Sequence, residues 1–416
     1  MKHALPKRLF FQLLRSLNEG FLELVCPEET YTFGSPTANL RAMLVIHDER
    51  FFRRALVGGD VGMGEAFMDG DWSSPDLVAV IRLAVRNLAA MESSNKLFSA
   101  LSSLADTVAH RFRGNTLAGS RRNISYHYDL GNDFYRLFLD STMAYSCAYY
   151  QTPNHSLEQA QLNKFERICR KLELKSTDHL LEIGTGWGGF AAYAATRYGC
   201  RITTTTISRQ QHDYAQQLFA GLGDAGERIT LILEDYRNLR GQFDKIVSIE
   251  MFEAVGLRYY DAYFGACDRL LKPNGIMVLQ TITMNEQKFP VYRKRCDWIQ
   301  KYIFPGSELA SVAEIGKSLG RCTKLSLFHA EDIGLHYAET LKQWRERFLI
   351  HRNELKKQGF DDRFLRMWEY YLCYCEGAFR ERHIGDVQFV LTKQRAPVQL
   401  ASCDQYAVPT SVHSGD

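Results

Sequence analysis

The chain has 416 residues, 45% hydrophobic and 24% charged, and its 51 Lys and Arg against 48 Asp and Glu leave a formal net charge of +3. That length allows two domains with a sizeable core; the charge is too small to argue for nucleic acid, yet does not oppose an anionic membrane surface. No run of about 18 apolar residues predicts a membrane-spanning helix, the N-terminus lacks a signal-like apolar core, and the ten cysteines show no paired CxxC spacing. Cys373 and Cys375 come nearest. The cysteines read as reduced, buried small hydrophobes of a cytoplasmic protein, and no metal site is expected.

Residues 1–24 alternate Lys2, Lys7, Arg8 and Arg15 with Leu9, Phe10, Leu13, Leu14, Leu17 and Phe21. This is a basic amphipathic helix, which can lie in a bilayer interface or pack its apolar stripe on its own domain. Turns at Gly34-Ser35-Pro36, Gly58-Gly59 and Asp69-Gly70-Asp71 punctuate the next segment. A helix is expected from Asp76, capped by Ser73 or Ser74. Residues 1–110 read as a small domain, and the polar, basic stretch 111–124 as a linker suited to lipid phosphates. The aromatic segments Tyr126–Tyr135 and Tyr145–Tyr150 suit the roof of a pocket with a few directed hydrogen bonds. From Gln161 the chain alternates: strands at 179–183, 201–206, 229–233, 244–249, 276–282, 322–328 and 386–393, with helical insertions at 292–320 and 337–384. Such alternation implies an α/β parallel sheet that binds ligand at its strand C-termini. The domain should span 125–394, and the tail 395–416 loses apolar periodicity.

The most informative stretch is His179-Leu180-Leu181-Glu182-Ile183-Gly184-Thr185-Gly186-Trp187-Gly188-Gly189, a buried strand running into a glycine cluster and then a helix. Glycine admits the turn and lets backbone N–H groups approach a ligand. The spacing fits a dinucleotide fingerprint, but the second strand, Arg201–Thr206, ends in hydroxyls without the acid such a site expects. Glu182 stands before the glycines instead, which resembles the S-adenosylmethionine site of Rossmann-like (class I) methyltransferases. There the carboxylate holds the ligand's amino group directly or through water.

Tyr145-Ser146-Cys147-Ala148-Tyr149, Met251-Phe252-Glu253-Ala254-Val255-Gly256, Lys301-Tyr302-Ile303-Phe304-Pro305-Gly306 and the segment around Tyr337 together resemble the cyclopropane-fatty-acyl-phospholipid synthase family, in its longer form with an N-terminal domain. The resemblance runs from about residue 20 to 393. For the cofactor it implies that Gly184, Gly186 and Gly188 line methionine and ribose. Thr206, Ile207 and Gln211 would read the ribose hydroxyls, Asp235 and Tyr236 bracket the adenine, and Tyr145 and Ser146 close over the methionine end. It further implies a bicarbonate ion as base, held by Cys147, Glu253, Gln280, Ile282 and Tyr337. An alkene is a poor nucleophile, so it must be aligned with the sulfonium methyl away from water; the resulting cation then loses a proton and closes a ring. Gln280 departs from the family's His and cannot carry a proton near neutral pH. A methyl-branched or methylene product, or a weak lipid-binding relative, therefore stays open beside the cyclopropane. The expected partner is a phospholipid membrane, met peripherally on its inner face. Longer family members suggest a homodimer.

Overall fold

The computed structural model describes residues 4–94 and 130–396. The linker at 111–124, the aromatic residues Tyr126–Asp129 and most of the tail expected at 395–416 lie outside the described residues. Among these no helix is long and apolar enough to cross a membrane.

Two compact units share the chain, and neither is a simple N- or C-terminal half. The first joins the N-terminal segment to Met284–Gly306 and Leu341–Ile384, so part of the sequence expected in a 125–394 domain packs with the N-terminal residues instead. Its sheet has the order β2-β1-β3-β4, from β1 (Phe21–Val25), β2 (Thr30–Gly34), β3 (Arg41–Ile46) and β4 (Trp72–Ser73). The N-terminal helix is shorter than expected, Ala4–Leu14. Phe21 belongs to β1, because Gly20 turns the chain at φ +88° and Phe21–Val25 then pairs with β2 and β3. The helix lays its apolar stripe on its own unit: Phe10 packs edge-on to Phe51 and Phe52, and Phe11 to Tyr31 and Phe33. Asp76, rather than Ser73 or Ser74, caps the helix Leu77–Ser94, accepting from the Ala79 N–H at 2.9 Å. That helix is bound to the helix Asp362–Arg380 by close approach at Gly377, whose missing side chain leaves room for Ile81. Arg82 and Arg86 clasp Glu381 beside it.

The second unit holds a seven-stranded sheet of order β10-β11-β9-β8-β5-β6-β7, built from β5 (His179–Ile183), β6 (Arg201–Thr206), β7 (Ile229–Leu233), β8 (Phe243–Ile249), β9 (Leu271–Met284), β10 (Ser326–Asp332) and β11 (Ile384–Thr392). The pairs β5/β6, β5/β8, β6/β7 and β8/β9 are parallel, and β10/β11 is antiparallel. Leu180, Leu181, Ile246, Val247, Met277, Val278 and Leu279 have no exposed surface, as strands covered on both faces require. The strand expected at 322–328 begins four residues later. The helix Val312–Cys322, capped by Ser311, takes the residues before Thr323, and Thr323 closes it by donating its hydroxyl to the Leu319 carbonyl.

The helix Leu157–Lys171 matters most for the site. Ser156 and Gln159 form a reciprocal capping box at its start. Gln161, Lys164, Arg167 and Lys171 recur at three- and four-residue spacing and are all buried, so one stripe of this helix is polar yet interior. Replacing Ser156 with Ala removes the acceptor for the Gln159 N–H. The expected loss is about 1 kcal/mol, or roughly 2–4 °C in Tm, measured by thermal unfolding followed by circular dichroism. An unchanged Tm would show that the cap does not anchor the helix.

Candidate active site

The glycine cluster follows β5. The N–H groups of Gly184 and Thr185 both donate to the Thr205 carbonyl, at 3.0 and 3.1 Å, and pin the turn to the end of β6. Gly184, Gly186 and Gly188 all have positive φ, at +103°, +53° and +93°, but their duties differ. A Cβ at Gly188 would strike the Phe219 ring at 2.9 Å, and one at Gly189 the Thr142 carbonyl at 2.4 Å. Those two glycines serve close packing. A Cβ on Gly186 meets nothing within 4 Å, so the backbone there faces open space. Tyr135 packs on Trp187 (centroids 4.8 Å) and Tyr145 (5.5 Å), and Trp187 Nε1 donates to Asn132 at 2.7 Å. Aromatic residues thus cover the loop.

The other residues implied for the cofactor divide in two. Thr206 donates its hydroxyl to Gln211 Oε1 at 2.9 Å, and Ser208 caps the following helix, which holds Ile207 at the end of β6. Tyr145 and Ser146 lie on the segment leading to Cys147. Glu182, Asp235 and Tyr236 are placed otherwise. Glu182 is 2% exposed and its carboxyl is turned onto the Thr204 hydroxyl of the neighbouring strand. Asp235 is engaged by Arg237 at 2.7 and 2.8 Å, and Tyr236 is buried against Tyr263. The loop at Gly184–Gly186 and the end of β6 lie at the C-terminal ends of parallel strands, where such sheets bind ligands; Tyr236 packs into the core.

The five residues implied for an anion do come together, at the C-terminal ends of β8 and β9, but around a sixth residue. Glu250, immediately after β8, accepts from the Cys147 backbone N–H at 2.7 Å, from Gln280 Nε2 at 2.8 Å and from the Tyr337 hydroxyl at 2.6 Å. The remaining two pair with one another: Glu253 Oε1 accepts from the Ile282 N–H at 2.5 Å and from Thr281 Oγ1 at 2.9 Å. Three of the five residues therefore already donate to a carboxylate supplied by the chain. They do not leave a bicarbonate ion its seat.

Gln280 has no exposed surface, and both hydrogens of its amide are engaged. Its amide nitrogen donates to Glu250 and to Asp386 Oδ2 (2.9 Å), and its oxygen accepts from Gln388 Nε2 at 3.0 Å. Gln388 in turn accepts from Lys171 Nζ at 2.7 Å. An ammonium can only donate, so it fixes which end of each amide faces it and, through Gln388, turns the Gln280 NH2 toward both carboxyls.

Burial, reinforced by the Glu250 charge, pushes Asp386 well above the usual carboxyl range. Burial raises Glu250 too, but Tyr337, the Cys147 N–H, Lys164 and Gln280 oppose it. Glu250 thus gathers the stronger set of donors, while Asp386 Oδ2 accepts from the Gln280 amide, and the proton of this pair rests on Asp386. Glu253 is raised to about 8 by burial and then by Glu250, so it is neutral at pH 7, and its buried Oε2 has no hydrogen-bond partner. Lys164, wholly buried, donates to Ser146 Oγ at 2.6 Å; burial pushes its ammonium below the ordinary lysine value, against the pull of Glu250. Cys147 contributes its backbone. Burial raises its thiol far above the usual range, and Sγ lies 3.2 Å from the Ala148 carbonyl.

Glu250, Lys164 and Asp386 escape a reading of the sequence alone. The available signal was a carboxylate at a strand C-terminus: Glu250 stands one residue before the Met251–Gly256 motif.

A family model, mycolic acid cyclopropane synthetase, matches residues 116–389. The chain belongs to that family. It is 38% identical over 401 residues to tuberculostearic acid methyltransferase UfaA1 of Mycobacterium tuberculosis, covering 95% of this chain and 92% of the relative. It is also 38% identical over 372 residues to the cyclopropane-fatty-acyl-phospholipid synthase of Escherichia coli strain K12, covering 86% and 89%. The solved mycolic acid cyclopropane synthase CmaA1, complexed with SAH and CTAB, superposes with a TM-score of 0.61 at 31% identity over 66% of this chain and 98% of that one. The fold is that of the class I methyltransferases preceded by a small α+β part, and the enzyme is an S-adenosylmethionine-dependent methyltransferase of the cyclopropane-fatty-acyl-phospholipid synthase type.

Two outcomes test the cofactor end of this methyltransferase site. Gly186→Ala puts a methyl into the open side of the loop; the protein should fold, losing about 1–2 kcal/mol to left-handed strain. S-adenosylmethionine affinity should fall by about tenfold or more, measured by titration calorimetry; unchanged affinity would remove Gly186 from the site. Separately, burial holds the Glu182 carboxyl at about 8, above its ordinary 4.5. The native state thus keeps a proton that the unfolded chain releases, so stability falls as pH rises from near 5 through about 8. Glu182→Gln should flatten that decline in the ligand-free enzyme, as read by Tm against pH. Parallel Tm profiles for the two proteins would show that Glu182 is already ionised.

Proposed function

We propose that this methyltransferase acts on the cis double bond of unsaturated acyl chains in membrane phospholipids and converts it to a cyclopropane ring. The observation that carries the reading is the interior acid cluster of Glu250, Glu253 and Asp386. It sits on the same edge of the sheet as the open glycine loop, where a methyl donor and a lipid chain can meet. S-adenosylmethionine supplies the methyl group from its sulfonium. The loop at Gly184–Gly186 and the end of β6 would hold that donor, and the Tyr135, Tyr145 and Trp187 rings would screen the transfer from water. Methyl addition to one alkene carbon leaves a cation on the other, and the ionised carboxylate among the acids stabilises it. Loss of a proton from the added methyl closes the ring.

A second reading is favoured by two observations. Gln280 stands where the family resemblance implies His, and UfaA1, named as a methyltransferase, matches more of the chain than the E. coli synthase does. If the cation migrates by a hydride shift before the proton leaves, the product is a methylene or methyl-branched chain. Membrane contact would be peripheral on the inner face: Arg8 and Arg15 on and beside the first helix are exposed. A homodimer fits the longer form.

Mass spectrometry of phospholipids from cells expressing the protein should show unsaturated chains heavier by one CH2. Gas chromatography and NMR then separate a cyclopropane from a methylene or branched chain. Lipids without that gain, from cells holding soluble enzyme, would overturn the assignment of substrate.

A further inference from the structure

The donors around Glu250 are arranged as if for a small planar anion, and the chain has placed its own there. A carboxylate and a bicarbonate present the same face to a set of N–H and O–H donors: two oxygens on one carbon, sharing one negative charge. Glu250 accepts from the Cys147 N–H, the Tyr337 hydroxyl and the Gln280 amide. These belong to the very residues that the family resemblance gives to bicarbonate. We propose that Glu250 is a built-in catalytic base that takes the place of a bound bicarbonate, so that this enzyme's turnover does not depend on dissolved inorganic carbon.

Three further observations fit this assignment. Glu250 and Glu253 keep partial accessible surface, whereas Gln280 and Asp386 keep none. Glu250 thus lies nearer the surface than Gln280 and Asp386 behind it. Its backbone adopts φ +48°, a left-handed conformation that costs a residue with a Cβ roughly 1 kcal/mol or more and that glycine would adopt freely. A side chain kept there in spite of that cost points to a role for it. Finally, the neighbouring acids hold protons: Asp386 and Glu253 are both pushed up by burial and by the Glu250 charge. Of the cluster, Glu250 is the member that collects the most hydrogen-bond donors, which favour its ionised form against burial.

The step balances without an added reactant. A C–H bond of the newly added methyl breaks, its electron pair forms the ring-closing C–C bond to the cationic carbon, and the proton passes to a Glu250 oxygen. The neutral carboxyl returns its proton to solvent when product leaves. After a hydride shift the same oxygen removes a proton either from the added methyl, whose C–H pair becomes a methylene double bond, or from a chain carbon beside the cation, which leaves a methyl-branched alkene. Gln280 is a positioning residue here, oriented by Gln388 and Lys171, and its lack of a titratable proton is no defect.

The inference rests on the alkene-methylating reading above, and turnover of unsaturated phospholipid vesicles by the unaltered enzyme tests that reading first. The Glu250 assignment is then tested in degassed, bicarbonate-free buffer. Unaltered enzyme should keep its full rate there and gain nothing from added millimolar bicarbonate. Glu250→Gln keeps the shape but turns one acceptor oxygen into an NH2 donor, which the Tyr337 hydroxyl can accept, and loses the base; kcat should fall by about a hundredfold or more, with S-adenosylmethionine affinity unchanged as the control for folding. Glu250→Gly relieves the left-handed strain and empties the seat. Its rate should be low in degassed buffer and rise with added bicarbonate, a rescue that a merely structural role would not produce. The proposal is overturned if the unaltered enzyme loses activity on degassing and recovers it with bicarbonate, or if Glu250→Gln turns over at the normal rate.

Discussion

A carboxylate in a protein interior must be met by hydrogen-bond donors, and much of the second unit answers that requirement for Glu250. The Cys147 segment supplies a backbone N–H, β9 the Gln280 amide, and the helix Gly334–Ile350 the Tyr337 hydroxyl. The buried Lys164 adds its pull on the carboxyl from the helix Leu157–Lys171. Removing one partner from such a buried arrangement leaves an uncompensated charge, a loss of about 3–5 kcal/mol when the pair is truly interior. Four elements distant in sequence are thereby held to one point at the ends of the central strands.

Orientation is settled one layer further out. Lys171 reaches both Glu331 and Gln388 at 2.7 Å, and Arg167 closes on Glu331 from the same helix. The ammonium determines how the amides of Gln388 and Gln280 lie, and Gln280 then bridges Glu250 and Asp386. Lys171, Gln388 and Gln280 touch no open space of their own. Their effect is to keep the hydrogen bonds of a neighbouring acid in one arrangement, which is what a charge-developing reaction demands of its surroundings.

The sheet was legible in the sequence because its central strands are continuous apolar runs flanked by helical periods and glycines; β5, β6 and β7 begin and end where the pattern places them. The N-terminal segment was less so, since Phe21 continues the apolar pattern of the first helix and only the turn at Gly20 reveals a new strand. Grouping of Met284–Gly306 and Leu341–Ile384 with the N-terminal residues was hidden, as long-range packing leaves no local periodicity. In the site, the five residues that matched a family frame do converge, but what they converge on was not visible. Sequence patterns assign charged residues to solvent, and nothing local marks Lys164 and Lys171 as part of a helix's interior stripe. The glycine cluster read as a single ligand-binding feature, whereas only contact geometry separates Gly186, open above, from Gly188 and Gly189, closed by Phe219 and Thr142.

The left-handed backbone at Glu250 has a consequence for how such enzymes can change over generations. Codons for glutamate and glycine differ at a single base, and a position already in glycine's own region of backbone space accepts that exchange without refolding. The surrounding donors stay where they are. Glutamate and glycine are therefore one base change apart at the position where the chain places its own carboxylate among these donors.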